Sequence, residues 1–139
     1  TGYDSDYVTS LFEALGVEGR EAYLYGQIPV DMVYPFLFGV SCCLLMAYFL
    51  KKIGKEDSTF FYLSLLPIIA GVADYLENFG IIYMLTSFPS LSKNSIDVTC
   101  LFSVVKSMTT SVYFIALLVV LVLLGVRAAK IRRGDASSI

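Results

Sequence analysis

Apolar residues in this chain do not alternate with polar ones at a strand or helix period; they run in three long blocks. The first, Val30 to Leu50, ends in Lys51, Lys52 and Lys55. The second starts at Thr59 and continues as FFYLSLLPIIAGVADYLENFGIIYML. The third runs from about Ile96 to Val126 and ends in Arg127, Lys130, Arg132 and Arg133. A helix needs roughly 20 apolar residues to cross the hydrocarbon core of a bilayer. Each block meets that length, and the second and third exceed it, so they are expected to tilt or to protrude. The pattern predicts an all-α integral membrane fold, a bundle of three long transmembrane helices at 30–52, 59–88 and 96–130. Residues 1–29 form an outer N-terminal helical region, 134–139 a loose tail, and 1–139 one membrane domain.

The N-terminal region carries its own signals. Asp4 or Ser5 can cap a short helix with Val8, Leu11, Phe12 and Leu15 on one face. Gly16 is a natural stop. A second helix is expected from Val17 into the first span, kinked by Pro29 and Pro35. Pro67 is expected to bend the second span and free a carbonyl near Leu63. Above the membrane, Phe79, Ile81, Ile82, Met84, Leu85 and Phe88 of the second block, and Ile96, Val98, Leu101, Phe102, Val104 and Val105 of the third, are too apolar to stand in water. They are expected to pack with the Leu11/Phe12/Leu15 face as an outer helical cap.

Composition agrees with the blocks. The chain has 139 residues, 57% hydrophobic and 16% charged, against about 45–50% and about 25% in soluble domains. Seven of the ten Lys and Arg lie just after the first and third blocks. The positive-inside rule then expects those ends, and the C-terminus, on the cytoplasmic or equivalent side, with the N-terminus outside in a periplasm, lumen or extracellular space. A net charge of −2 provides no basic field for nucleic acid, which is not expected as a partner. The chain has no histidine, which excludes His-ligated haem or zinc and a Ser-His-Asp triad. Cys42, Cys43 and Cys100 do not have the spacing of a metal site or a disulfide framework, so no metal is expected. Tyr3, Tyr7, Tyr23, Tyr25 and Tyr34 are expected to form an interfacial belt.

The polar residues inside the blocks fall at one depth. Asp31 lies twenty residues before Lys51, Asn78 nineteen after Thr59, and Lys106 twenty-one before Arg127. Asp74, Glu77 and Asn78, spaced i, i+3 and i+4, share a helix face. Lys106 is their expected counter-ion, and Arg20 is expected to reach the group from the outer extension. Charged groups facing lipid are unfavourable, so these residues should face the bundle interior or a crevice. Glycines at 39, 71 and 80 should allow close helix approach.

The residues EGREAYL at 18–24, D-x-x-x-P at Asp31/Pro35, P-x6-D-x-x-E-N at Pro67/Asp74/Glu77/Asn78, and Lys106 together resemble a group of small, mostly uncharacterised bacterial multi-pass membrane proteins. The resemblance covers nearly the whole chain. It implies that Arg20, Asp31, Asp74, Glu77, Asn78 and Lys106 belong to one site, and it implies no particular activity.

Three functions fit these features. The first is a non-enzymatic accessory or scaffold subunit of a larger membrane complex, with the polar cluster setting helix registry. The second is an ion-, proton- or small-ligand-binding, transport-related protein that uses the acidic cluster with Lys106. The third is a membrane enzyme with Asp74 or Glu77 as general acid. Expected partners are membrane lipids and other membrane subunits or a second copy. No cofactor is expected beyond a lipid or small-molecule ligand.

Overall fold

A computed structural model describes residues 3–136, with side chains described through residue 131. It is helical throughout apart from short turns. Helix α1 spans Ser5–Ala22, α2 Ile28–Lys52, α3 Leu66–Ser87 and α4 Lys93–Ala136; a π-helical turn, Tyr23–Gln27, joins α1 to α2, and a 3₁₀ segment, Thr59–Leu65, leads into α3. Three stretches, Ser5–Lys52, Thr59–Ser87 and Lys93–Ile131, are long and apolar enough to cross a membrane.

The element ends follow from local chemistry. Asp4 caps α1, its carboxylate accepting a hydrogen bond from the Tyr7 amide at 2.9 Å. Gly16 breaks the helix with φ 62° and ψ −172°, a combination that is essentially confined to glycine. A Gly16→Ala substitution meets no neighbour, so its effect is conformational alone. It is expected to destabilise the protein by about 1–3 kcal/mol, measured as a lower midpoint in detergent unfolding; an unchanged midpoint would contradict that origin. The short turn after α2 is closed by Gly54 at φ 70°.

Proline shapes two of the junctions. Pro29 lacks an N–H, so the carbonyl four residues before it loses its α-helical donor. The chain opens there into the wider π turn, in which the Ile28 amide bonds to the Tyr23 carbonyl. Pro67 differs from the sequence expectation. It does not kink a continuous helix; it occupies the first turn of α3, where a missing N–H leaves nothing unsatisfied. The residues before it take the tighter 3₁₀ form, started by Ser58, whose hydroxyl accepts from the Phe60 amide at 3.2 Å. Helix α4 also runs further than expected. Residues 134–136, read as part of a loose tail, are helical, and 137–139 lie outside the described residues.

Helix α3 is central, and both α2 and α4 pack along it. The α2–α3 approach is close because its crossing points carry glycine: a Cβ on Gly71 would stand 2.9 Å from the Pro35 carbonyl oxygen, and one on Gly39 would stand 3.3 Å from that of Pro67. Two apolar clusters form. At the turn end, Met46 and Leu50 of α2 meet Tyr113 and Val120 of α4. Tyr113 is fully buried, and its hydroxyl donates to the Cys42 carbonyl at 3.0 Å. At the other end, Val8 and Phe12 of α1 pack on Met84, Leu85 and Ile96, with Phe88 and Leu91 beside them. This is a helical cap, but it is narrower than expected: Leu11, Leu15, Phe79, Val98 and Leu101 stay exposed. Of the apolar face of α1 before the Gly16 break, Val8 and Phe12 are the residues buried on the α3–α4 hairpin.

Candidate functional site

Between the two clusters α2 and α4 do not close on each other, and a crevice remains with α3 as its floor. Its charged part is a cavity of about 290 Å³ lined by Tyr23, Asp31, Tyr34, Asp74, Glu77, Asn78, Ile81 and Lys106. A neighbouring space of about 320 Å³, sharing Tyr34, Asp74 and Lys106, continues toward the turn end past Phe38, Ala70, Gly71, Ser107, Thr110 and Ser111.

Helical spacing produces this lining. Asp31, Tyr34 and Phe38 recur along one stripe of α2, and Gly71, Asp74 and Asn78 do so along α3. Lys106 and Thr110 give the matching stripe on α4. Because the level of a residue within a straight helix is set by its distance along the chain, the three stripes meet at one depth.

The cluster is asymmetric. Lys106 Nζ lies 3.3 Å from Asp74 Oδ1 and also pairs with Glu77. The Glu77 side chain is only 8% exposed, against 34% for Lys106, so the ammonium bridges a buried carboxylate and the open crevice. Asn78 is buried and donates through Nδ2 to the Asp31 backbone carbonyl at 3.1 Å. Nearby, the Tyr75 hydroxyl donates to the Met32 carbonyl at 2.8 Å. Both bonds tie α3 to the first turns of α2, where proline disturbs the usual ladder. The Asp31 carboxylate accepts from Gln27 Nε2 at 2.8 Å and, among the described residues, pairs with no cation. Three carboxylates thus share one crevice with one ammonium.

Arg20 is the exception among the sequence-selected residues. It does not reach the cluster. Its Nη1 donates to the Phe12 carbonyl at 2.7 Å, and its guanidinium lies 4.5 Å from the Phe88 ring centroid. The reason is the Gly16 break, which ends a helical segment and leaves its last carbonyls without intrahelical donors. Arg20, four residues beyond the break, satisfies one of them and stacks on the cap.

Tyrosines supply what the sequence reading missed. Tyr23 and Tyr34 line the crevice and are more than a surface belt. The Tyr3 amide donates to Cys100 Sγ at 3.3 Å. The Tyr3 hydroxyl is buried without a hydrogen-bond partner, in a cavity of about 180 Å³ that it shares with Glu77. Burial first, and the negative charge of Glu77 second, push its phenol above the usual tyrosine range, so it stays protonated. The ten tyrosines of the sequence offered no means of distinguishing these from exposed ones such as Tyr25 and Tyr62.

Among the described residues, no three Cys, Asp or Glu side chains converge as metal ligands. The arrangement can bind a positively charged or hydrogen-bonding group beside Asp31, and it can hold the Lys106 ammonium in a partly buried position. Comparison with protein-family models, curated proteins and solved structures finds no match to this chain.

Proposed function

We propose that this is an integral membrane protein whose charged crevice binds a small ligand or ion, drawn in by carboxylates in excess of cations. Membrane insertion is supported by the outward faces of the helices, where Phe36, Leu37, Val112, Ile115 and Leu118 are each at least half exposed. In water such faces would be a large aggregation surface; against acyl chains they are at home. At about 1.5 Å per residue, α4 is about 66 Å long, more than the ~40–45 Å of a bilayer with its headgroups. By the positive-inside rule, the basic residues at the turn end favour the cytoplasmic or equivalent side for that end and the C-terminus. This reading keeps the protein among the small multi-pass membrane proteins that its motifs resemble.

One observation carries the binding role. The ionisable residues of three separate helices meet at an open cavity, whereas a set used only for helix registry would be enclosed. Ionisable groups at membrane depth are functional by default when they line a water-accessible space. The test is thermal unfolding in a mild neutral detergent against a panel of inorganic cations, organic amines, organic acids and polyols, repeated with Asp31→Asn. At least one cation or polar compound is expected to raise the midpoint in the parent and to lose that effect in the variant. A panel that moves neither protein, or both equally, contradicts a binding crevice.

A second reading, the accessory subunit, is favoured by the cap. Tyr7, Leu11, Leu15 and Val17 of α1 remain exposed, beside the Val8 and Phe12 that α3 and α4 cover. Gentle purification followed by native mass spectrometry separates the two. A stable hetero-complex supports this second reading, and a lone protomer or homo-oligomer opposes it.

A further inference from the structure

The shape and walls of the crevice narrow the ligand class, given that it is a binding site. The geometry points to an ammonium group carried on an apolar chain, entering sideways between α2 and α4. The crevice has a closed end and an open side. Its turn end is shut where Phe38 packs on Tyr113 and Phe114, with ring centroids 6.4 and 6.3 Å apart. From Asp31 to Phe38 is seven residues, about 10 Å along the helix, which sets the depth available to a ligand lying between the charged level and the aromatic floor. The side is open because α2 and α4 meet through their turn-end halves. At the mouth, Tyr34 is 58% exposed, and Ser107 and Ser111 are exposed on the facing helix.

The walls select the head. A compact metal ion needs ligands that converge, and these carboxylates do not. Their negative charge comes from two helices, Asp31 on α2 and Asp74 and Glu77 on α3, around a cavity of about 290 Å³, which suits a bulky, diffuse cation. Tyr34 stacks on Phe38 at 5.7 Å, and Tyr23 lines the same space, so the cation would also meet aromatic faces. Lys106 is already occupied by Asp74 and Glu77, which disfavours an anionic head. Past the charged level, Phe38, Ala70 and Gly71 make the α2–α3 wall apolar or small, opposite the hydroxyls of Ser107, Thr110 and Ser111 on α4, and that apolar wall accepts the first part of a hydrocarbon chain. At this depth and on this side, the source of such a molecule is the lipid phase.

The test uses octylamine, with octanol, octanoic acid and ethylamine as controls, added to the full chain in neutral detergent and read as a shift in unfolding midpoint. Octylamine is expected to stabilise at concentrations at which the three controls do not. Asp31→Asn and Tyr34→Ala, both at the rim and outside the ion-pair network, are each expected to raise its half-saturating concentration about tenfold, the size of one charged hydrogen bond or one cation–π contact. The parent midpoint of each variant without ligand shows that it is folded, and either variant alone suffices. Equal stabilisation by octylamine and octanol overturns the ammonium assignment, and so does preference for octanoic acid. Equal stabilisation by ethylamine overturns the apolar chain and the lateral route. If an inorganic cation in the earlier panel stabilises in an Asp31-dependent way while octylamine does not, the crevice binds a ligand and this assignment of its class fails alone. If octylamine succeeds, vesicles of phosphatidylethanolamine and phosphatidylglycerol distinguish a resident lipid head from a free amine: retention of the ethanolamine lipid by the parent, lost in Asp31→Asn, identifies the headgroup.

Discussion

Lys106→Met lowers the stability of the protein by about 3–5 kcal/mol, the range for removing one partner of a buried ion pair. Methionine keeps most of the length and apolar stem of lysine and removes the charge, so packing is nearly preserved. What changes is the setting of the two carboxylates. Glu77, at 8% side-chain exposure, and Asp74, at 13%, lose the single ammonium that touches both. Water entering through the crevice reaches Asp74 more easily than Glu77, which places the result toward the lower end of the range. The check is a double-mutant cycle of Lys106→Met with Glu77→Gln, followed by equilibrium unfolding in mixed micelles. The two changes together are expected to cost less than the sum of the singles, because the pair interaction is counted twice in that sum. Additive effects, or a loss below about 1 kcal/mol as for an exposed pair, would mean that the network contributes little to the fold.

Gly80→Ala is the second large effect. A methyl group built on Gly80 would stand 2.0 Å from Thr99 Oγ1, 2.7 Å from its Cγ2 and 2.8 Å from its Cβ. Rotating Thr99 cannot relieve this, because its Cβ is fixed to the backbone and its hydroxyl is held by the Ser95 carbonyl at 2.7 Å. Helices α3 and α4 must therefore separate, opening the cap cluster that Met84, Leu85 and Ile96 form just beyond. Overpacking of this kind costs about 1–3 kcal/mol, and the upper end is expected here. Thr99→Ala should restore part of the loss, since it removes the two outer atoms and leaves Cβ. A Gly80→Ala variant as stable as the parent would show that the α3–α4 contact is looser than these distances require.

How much of this was legible in the sequence depends on the range of each determinant. Asp4, Gly16 and the three apolar blocks act within a few residues of themselves, and the structure has them where local chemistry places them. The common depth of Asp31, Asn78 and Lys106 was also legible, because rise per residue converts chain distance into level once helices are straight. Side-chain partners were not. Arg20 sits on the cap and not at the cluster, and that outcome depends on how the chain turns at Gly16. Tyr113 and Tyr75 give no local sign that their hydroxyls will meet Cys42 and Met32 carbonyls, contacts 71 and 43 residues apart. Pro67 was read as a kink because the apolar run continues through it; the change from 3₁₀ to α at that point is invisible to hydropathy.

The seat of α1 has a consequence for how the chain is made. Val8 and Phe12 rest on Met84 and Leu85 of one helix and Ile96 of the next, so the surface that receives them is assembled from residues synthesised much later. During translation this helix leaves before α2, α3 and α4 and has no native partner until the α3–α4 turn has emerged and closed. It must wait through the synthesis and placement of two long apolar helices with Val8 and Phe12 uncovered. Of the four helices, the one made earliest thus depends on a surface made late, and anything that delays the closing of that turn prolongs its exposure.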